Sequence, residues 1–379
     1  DPDLRWAIAG RSRDKLEVLK ASLGSAGAAL EILLADAGDS DSLKHLCAQT
    51  RVVVSTVGPY ALHGEPLVRA CVESGTDYCD LTGEVQWIRR MIQQYEPLAR
   101  QSGARIVHCC GFDSIPSDLG VWFLQQEAQQ RFGAVCTQVK MRVKAAKGGM
   151  SGGTVASLVN VAREAASSPA LRKELANPFS LCPAGATSST RQPSIKAATF
   201  DEDFGAWSAP FVMAAINTRI VHRSNALSGH AYGENFIYEE AMLTGKGWRG
   251  WSAAQGITVG LGGFLLAAAV KPSRWALERF VLPAPGEGPS PEEQQRGYYD
   301  LRFLGTTAHG QKLRIKVTGD REPGYGSTAK MLGQAAQCLA RDVPSSTPGG
   351  FWTPATLLDG NLKDRLVAHA GLTFSVIDE

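Results

Sequence analysis

The stretch "RWAIAGRSRDKLEVL", residues 5–19, decides the fold class of this chain. A strand predicted over residues 4–9 runs straight into a helix predicted over residues 13–23, and Gly10-Arg11-Ser12 form the junction. Short apolar strands and helices of about ten residues keep alternating through the first third of the chain, as in a parallel sheet with helical crossovers. The sequence therefore predicts an α/β protein with a Rossmann-like, doubly wound parallel sheet.

The pattern changes after residue 133. "AVCTQVKMRVKAA", residues 134–146, is a long alternating run that is typical of an antiparallel strand with one solvent-facing side. A chain of 379 residues also exceeds a comfortable single core. We predict a dinucleotide-binding domain over residues 1–133, an inserted α+β domain with a mixed or antiparallel sheet over residues 134–319, and a return to the first domain over residues 320–379.

The composition argues against several classes of function. A formal net charge of +2, without a basic run interleaved with aromatic residues, gives no indication of a nucleic-acid partner. The 8 cysteines are scattered and form no Cys-x-x-Cys spacing, so neither a metal site nor a disulfide framework is expected. Reduced thiols are typical of a cytoplasmic protein.

Arg11 follows a strand at the position where, in a dinucleotide-binding fold, a side chain faces the adenosine ribose. An arginine offers a permanently charged, planar fork for a phosphate, and Ser12 and Lys15 add a hydroxyl and an ammonium group. Together with Gly10 they favour NADP(H) over NAD(H). Asp36 ends the next strand and is expected to accept a hydrogen bond from the adenine amino group. The alternatives are helix caps at Ser12 and Asp36 and a solvated arginine.

The segment "STVGPY", residues 55–60, follows the most apolar predicted strand. Ligands of open parallel sheets lie beyond the carboxyl ends of the strands. We expect the backbone of Thr56, Val57 and Gly58 to hold the ribose and pyrophosphate, and Tyr60 to face the nicotinamide. An ordinary turn with a packing tyrosine is the alternative.

The segment "GFDSIPSDLG", residues 111–120, follows another apolar strand and precedes a helix. Gly111 and Phe112 are expected beside the cofactor. Asp113 is expected to hydrogen-bond the substrate or to relay a proton, and a purely structural role is its alternative. Glu84 in "DLTGEV" has the same two interpretations.

The segment "GGMSGGT", residues 148–154, opens a predicted helix. Glycines let the backbone approach a ligand, and the amides at a helix start bind anions. We expect Gly149, Ser151, Gly152 and Thr154 to bind a substrate carboxylate, thioester or phosphate. A flexible hinge between domains explains the same glycines.

Residues 251–270 contain no Asp, Glu, Lys or Arg and are long enough to cross a bilayer. Basic residues and tryptophans flank the run, as at a membrane interface: Lys246, Trp248, Arg249, Lys271, Arg274 and Trp275. Three interpretations remain open. The segment is a buried or homodimer-forming helix, or residues 246–275 make a peripheral contact with membrane or lipid, or the segment spans the membrane.

Seven motifs occur in one order over nearly the whole chain: "AGRS", "STVGPYALHGEPLVRAC", "GTDYCDLTGE", "GFDSIPSDLG", "GGMSGGT", "PGYGSTAKM" and "GGFWTPAT". Together they resemble the saccharopine dehydrogenase-like oxidoreductases, and within them the branch of the trans-acting enoyl reductases of mycobacterial glycolipid synthesis. The resemblance implies an NAD(P)-binding Rossmann domain, an inserted second domain and an association with lipids or membranes.

The resemblance also implies a reaction. We expect NADPH-dependent reduction of a lipid-like enoyl or carbonyl substrate. Such a reaction needs a hydride, a proton and a donor to the carbonyl oxygen, and Tyr60 is the first expected donor and Asp113 the second. The alternative is a non-catalytic lipid- or membrane-associated binding protein with the same fold, because no compact acid–base cluster stands out.

Proteins of this family open with a strand and a glycine-rich turn that do not occur in the printed chain. We therefore expect the native polypeptide to extend upstream of Asp1. The added strand would lie between the strands predicted at residues 4–9 and 51–56. Direct pairing of those two strands would contradict this expectation.

Overall fold

The computed structural model describes residues 3–148, 152–186, 188, 190–280 and 288–377. The strands are, in chain order, β1 (Ala7–Gly10), β2 (Glu31–Leu34), β3 (Val52–Ser55), β4 (Asp77–Asp80), β5 (Arg105–Val107), β6 (Cys136–Lys147), β7 (Thr199–Asp201), β8 (Ala206–Ala209), β9 (Ile237–Gly245), β10 (Tyr298–Thr307), β11 (Lys312–Gly319), β12 (Gly350–Trp352) and β13 (Leu372–Val376). The α-helices are α1 (Arg13–Ser22), α2 (Ser40–Cys47), α3 (Tyr60–His63), α4 (Glu65–Ser74), α5 (Val85–Ser102), α6 (Ile115–Phe132), α7 (Gly152–Ser167), α8 (Pro169–Ala176), α9 (Ala214–Leu227), α10 (Gly247–Ala269), α11 (Lys271–Phe280), α12 (Pro291–Arg296), α13 (Thr328–Arg341) and α14 (Asp359–Arg365).

Parallel strands form two separate sheets. β1 pairs with β2, and β12, β5, β4 and β3 form, in this order, a four-stranded sheet. Helices connect these strands, so the predicted α/β class with a Rossmann-like parallel sheet is confirmed. Within the described residues β1 and β3 do not pair with each other. The pairing that would contradict an upstream strand is therefore not found, and that strand stays a prediction.

A seven-stranded mixed sheet, in the order β13-β11-β10-β6-β9-β8-β7, accounts for the second part of the chain. The long strand β6 lies at its centre, antiparallel to β10 and parallel to β9. Alternate residues of β6, Val139, Met141 and Val143, are buried, as the alternating pattern predicts.

The C-terminal segment 320–379 divides between the two larger sheets. β12 extends the parallel sheet by pairing with β5, whereas β13 pairs antiparallel with β11 in the mixed sheet. The expected return of residues 320–379 to the first domain therefore needs correction for the last strand. The reason is long-range pairing, which the local pattern of a single strand does not specify.

Helix α6 joins the two parts of the molecule. It follows β5 of the parallel sheet and packs on β10 and β11 of the mixed sheet. Residues 115–121 at its start are all buried, so its first two turns have no polar face. A Cβ on Gly120 would lie 2.5 Å from Cζ of Phe303, so this contact requires a glycine.

We predict that Gly120→Ala lowers the free energy of unfolding by about 1–3 kcal/mol, because the added methyl overpacks the α6–β10 contact. The matched control is Gly333→Ala in α13, an exposed helical glycine where a Cβ meets nothing within 4 Å. The control should raise stability by up to about 1 kcal/mol through helix propensity. Denaturant unfolding of both variants measures the difference, and equal effects would contradict the packing assigned to α6.

Candidate functional site

Three loops meet at the carboxyl edge of the four-stranded parallel sheet. They follow the strand ends at Ser55, Asp80 and Val107, and parallel strands present these ends on one side. The loops comprise residues 56–59, 81–84 and 108–114. They carry most of the residues that the sequence singles out, so this edge is the candidate site.

The carboxylate of Asp80 holds the second and third loops together. One oxygen, Oδ1, accepts the backbone N–H groups of Thr82 at 3.1 Å and Cys109 at 3.2 Å. The other, Oδ2, accepts the Tyr78 hydroxyl at 3.0 Å and lies 2.7 Å from Nδ1 of His108. Asp80 is fully buried. It therefore fixes the spacing of the two loops from inside the protein.

Glu84 holds the first loop against the second. Its carboxylate accepts the backbone N–H of Tyr60 at 2.7 Å and that of Ala61 at 3.0 Å. The Ser157 hydroxyl of α7 donates a third hydrogen bond at 2.9 Å. Burial raises the pKa of Glu84, and these three hydrogen bonds oppose the rise. Of the two interpretations of Glu84, this geometry favours the structural one.

Tyr60 lies at the site but points inward. Its hydroxyl donates to the backbone oxygen of Ser55 at 2.9 Å, and its ring packs on Trp87 with centroids 5.4 Å apart. The residue is 3% exposed, and burial raises the pKa of its hydroxyl well above the usual range. A hydroxyl in this position is poorly placed to donate to a substrate, so the geometry does not favour Tyr60 as the first donor.

Asp113 is the acid that the loops leave accessible. It is half-buried, and its carboxylate takes no hydrogen bond from another residue in the part of the chain described. Burial raises the pKa of Asp113 to about 7, and the negative charge of Asp80 adds to the rise. A Cβ on Gly83 would lie 3.6 Å from its Oδ1, so the second loop passes directly beside it.

A segment that sequence reasoning did not assign supports the third loop. The Phe112 N–H donates to the Thr328 hydroxyl at 3.0 Å, and this hydroxyl donates to the Pro323 carbonyl at 2.7 Å. Glu322 holds the turn, because its carboxylate accepts the N–H groups of Gly324, Tyr325 and Gly326. The motif "PGYGSTAKM" therefore stabilises the position of Gly111 to Asp113. In the sequence, the position of Glu322 directly before this glycine-rich turn was the signal that could have predicted the support.

The predicted adenosine site lies at the carboxyl end of β1. Arg11 and Lys15 are exposed, and Arg11 makes no ion pair with any described residue. The Ser12 hydroxyl accepts the N–H of Lys15 at 3.4 Å and caps α1. Gly10 is the last residue of β1. This arrangement fits both predicted alternatives for Arg11. Its guanidinium could bind a 2′-phosphate, or it could simply face solvent.

Asp36 lies after β2 and is exposed. Its carboxylate accepts the N–H of Gly38 at 2.8 Å, and the cap of α2 is Asp39 rather than Asp36. The cap alternative for Asp36 is therefore wrong, and its predicted contact with the adenine stays a prediction.

The first loop presents its backbone outward. Thr56, Val57 and Gly58 are exposed, and within the described residues their backbone makes one weak hydrogen bond, from the Val57 N–H to the Ser55 hydroxyl at 3.4 Å. Backbone groups of this loop are therefore free to bind a ribose or pyrophosphate.

The glycine-rich segment reaches the site through α7. Gly149 and Ser151, two of the four predicted substrate contacts, lie outside the described residues. Gly152 is buried at the start of α7, and Thr154 lies in its first turn. The contact between α7 and the loops is made one turn later, by Ser157.

A parallel α/β domain with these features at its strand ends belongs to the Rossmann-like nucleotide-binding enzymes. Comparison with known proteins makes this specific, since residues 1–107 match the saccharopine dehydrogenase NADP binding domain. A protein of Mycobacterium tuberculosis named for trans-acting enoyl reduction is 39% identical, over 97% of this chain and 90% of the relative. The trans-acting enoyl reductase of Mycobacterium ulcerans is 35% identical, with the same two coverages of 97% and 90%.

The fold comparison agrees with the sequence comparison. Apo saccharopine dehydrogenase (L-Glu forming) from Saccharomyces cerevisiae superimposes with a TM-score of 0.54 at 13% identity, over 100% of this chain and 95% of the yeast chain. The chain belongs to the saccharopine dehydrogenase-like oxidoreductases, in the branch of the trans-acting enoyl reductases. It is an NADP(H)-dependent oxidoreductase, and both the predicted family and the predicted cofactor are confirmed.

We predict that Arg11→Ala weakens NADPH binding by about 5- to 150-fold and leaves NADH binding nearly unchanged, because a charge-assisted contact to the 2′-phosphate is lost. Fluorescence titration with both nucleotides measures the two dissociation constants. The control is Arg13→Ala, which removes an exposed arginine at the start of α1 that pairs with Glu17. Equal weakening of both nucleotides by Arg11→Ala would contradict 2′-phosphate recognition at this residue.

Proposed function

We propose that this oxidoreductase reduces a lipid-like enoyl or carbonyl substrate with NADPH, and that Asp113 supplies the proton. The observation that carries the proposal is the state of Asp113, a half-buried acid with a pKa of about 7 and no hydrogen bond from another described residue. Relatives named trans-acting enoyl reductases support the reaction type.

The charge and the exposure of the site residues assign a role to each of them. NADPH, when bound, supplies the hydride. Arg11, Ser12 and Lys15 hold the adenosine phosphate, and the backbone of residues 56–58 holds the ribose and pyrophosphate. Tyr60 and Glu84 position this loop, because their polar atoms are engaged inside the protein. Asp113 is left as the residue that can exchange a proton with a bound substrate.

The proposed substrate class follows from the side chains of the three loops. Residues 56–62, 81–84 and 108–114 include no Lys or Arg. A dicarboxylic amino acid would be held by convergent cationic side chains. The nearby Arg105 is not available for that purpose, since it is buried in an ion pair with Asp77. An acyl thioester or an uncharged lipid carbonyl suits these loops better.

The rival function is a non-catalytic protein that binds lipid or membrane and retains the fold. The inward position of Tyr60 favours this rival, because it removes one of the two expected donors. The accessible acid at Asp113 favours catalysis. Turnover of NADPH with an enoyl substrate separates the two functions.

We predict that Asp113→Asn lowers kcat by about 10²-fold or more, with a smaller effect on KM, because the proton donor is lost. NADPH oxidation with a long-chain 2-enoyl thioester measures both constants across pH. The protonated acid is the active form, so the wild-type rate should fall as pH rises through about 7. The variant should lack that decline.

Tyr60→Phe is the matched comparison. It removes a buried hydrogen bond worth about 1 kcal/mol and should lower stability more than turnover. The opposite result, with turnover lost in Tyr60→Phe and kept in Asp113→Asn, would assign the donor role to Tyr60. An unchanged pH profile in Asp113→Asn would also contradict the role given to Asp113.

A further inference from the structure

Helix α10 has an exposed apolar face. Trp248 is 74% exposed, Val259 70%, Leu266 71% and, just after the helix, Val270 54%. Their separations of eleven, seven and four residues place them on one side of a helix. We call these four residues the α10 face. Four large apolar side chains exposed on one side of a helix are costly in water, so such a face marks an interaction site.

The opposite side of α10 belongs to the fold. Gly250, Ala254 and Ala268 are buried, and the helix packs on β8, β9 and α7. By length and hydropathy α10 could cross a bilayer. A helix that lies along a sheet on one side and is open on the other instead matches a contact in the plane of a membrane surface.

The charges around the α10 face have one sign. Lys246 and Arg249 lie at its N-terminal end, and Lys271 and Arg274 lie at its C-terminal end. Residues 241–277 contain no Asp or Glu. None of the four makes an ion pair with any residue that the structure describes. A polybasic rim around an apolar face complements anionic lipid head groups.

We propose that α10 and the start of α11 dock peripherally on the surface of an anionic lipid bilayer. The α10 face enters the boundary between head groups and acyl chains, and the four basic residues contact lipid phosphates. Trp248 and Trp275 are exposed near the two ends, where indole rings favour the interface. A second copy of this chain is a poorer occupant, because two such faces would bring like charges together without an acidic partner.

The docked helix is connected to the candidate site by one element. α7 packs against α10, and its Ser157 donates a hydrogen bond to Glu84. If the proposed function holds, this arrangement brings the site close to lipid held in the membrane. The docking itself does not depend on that function.

The test is flotation of the full chain with vesicles of phosphatidylcholine, with and without phosphatidylglycerol. We expect flotation with the anionic vesicles only, decreasing as salt screens the charges. The triple variant Trp248→Ser, Val259→Ser and Leu266→Ser should bind anionic vesicles about tenfold or more weakly. The matched control, Val18→Ser, Leu23→Ser and Val367→Ser, changes exposed apolar residues elsewhere and should bind as the wild type does.

Each other outcome would overturn the docking proposal. Wild-type protein that stays at the bottom with both vesicles, or a triple variant that floats as well as the wild type, excludes docking through this face. Equal flotation with neutral vesicles excludes recognition of anionic lipid. If the wild type does not float but forms a dimer that the triple variant disrupts, the α10 face binds a second copy of this chain. NADPH binding and thermal melting of each variant report folding, and enoyl turnover in detergent tests the proposed function separately.

Discussion

The buried carboxylate of Asp80 is the constraint on which the candidate site depends. It joins the end of β4 to the loop after β5 through backbone and side-chain groups, including the N–H of Cys109 and Nδ1 of His108. Because Asp80 is removed from water, the loss of any partner leaves a charge or donor unsatisfied, which is costly in a low-dielectric interior. The two loops are therefore held at one separation, and this separation sets where Asp113 can meet a ligand.

The site draws on both parts of the molecule. The parallel sheet supplies the loops, the inserted part supplies a supporting contact from Ser157 of α7, and the C-terminal segment supplies one from Thr328 at the start of α13. Helix α6 begins at Ile115, two residues after Asp113, and packs on the mixed sheet. The carboxylates of Asp80 and Glu84 are engaged inside the protein, whereas Asp113, the proposed proton donor, is half-buried.

Local sequence pattern predicted the elements but not their partners. The alternation of strands and helices, the glycine–arginine junction at Arg11 and the long strand β6 followed from periodicity and turn chemistry. The pairing of β13 with β11 and the hydrogen bond between Phe112 and Thr328 join residues that are distant in sequence. Local periodicity carries no information about such contacts. The direction of Tyr60 depends on the turn that precedes it. Asp80 carried a signal that was missed, because an acid at the end of an otherwise buried strand requires several donors.

Hydrogen–deuterium exchange with and without NADPH tests the central claim most directly. If the loops joined through Asp80 form the nucleotide and proton-donor site, NADPH should slow exchange in residues 10–15, 56–62, 81–84 and 109–114, and NADH should protect residues 10–15 less. Protection confined to the seven-stranded sheet, or no change in these loops at saturating NADPH, would contradict it.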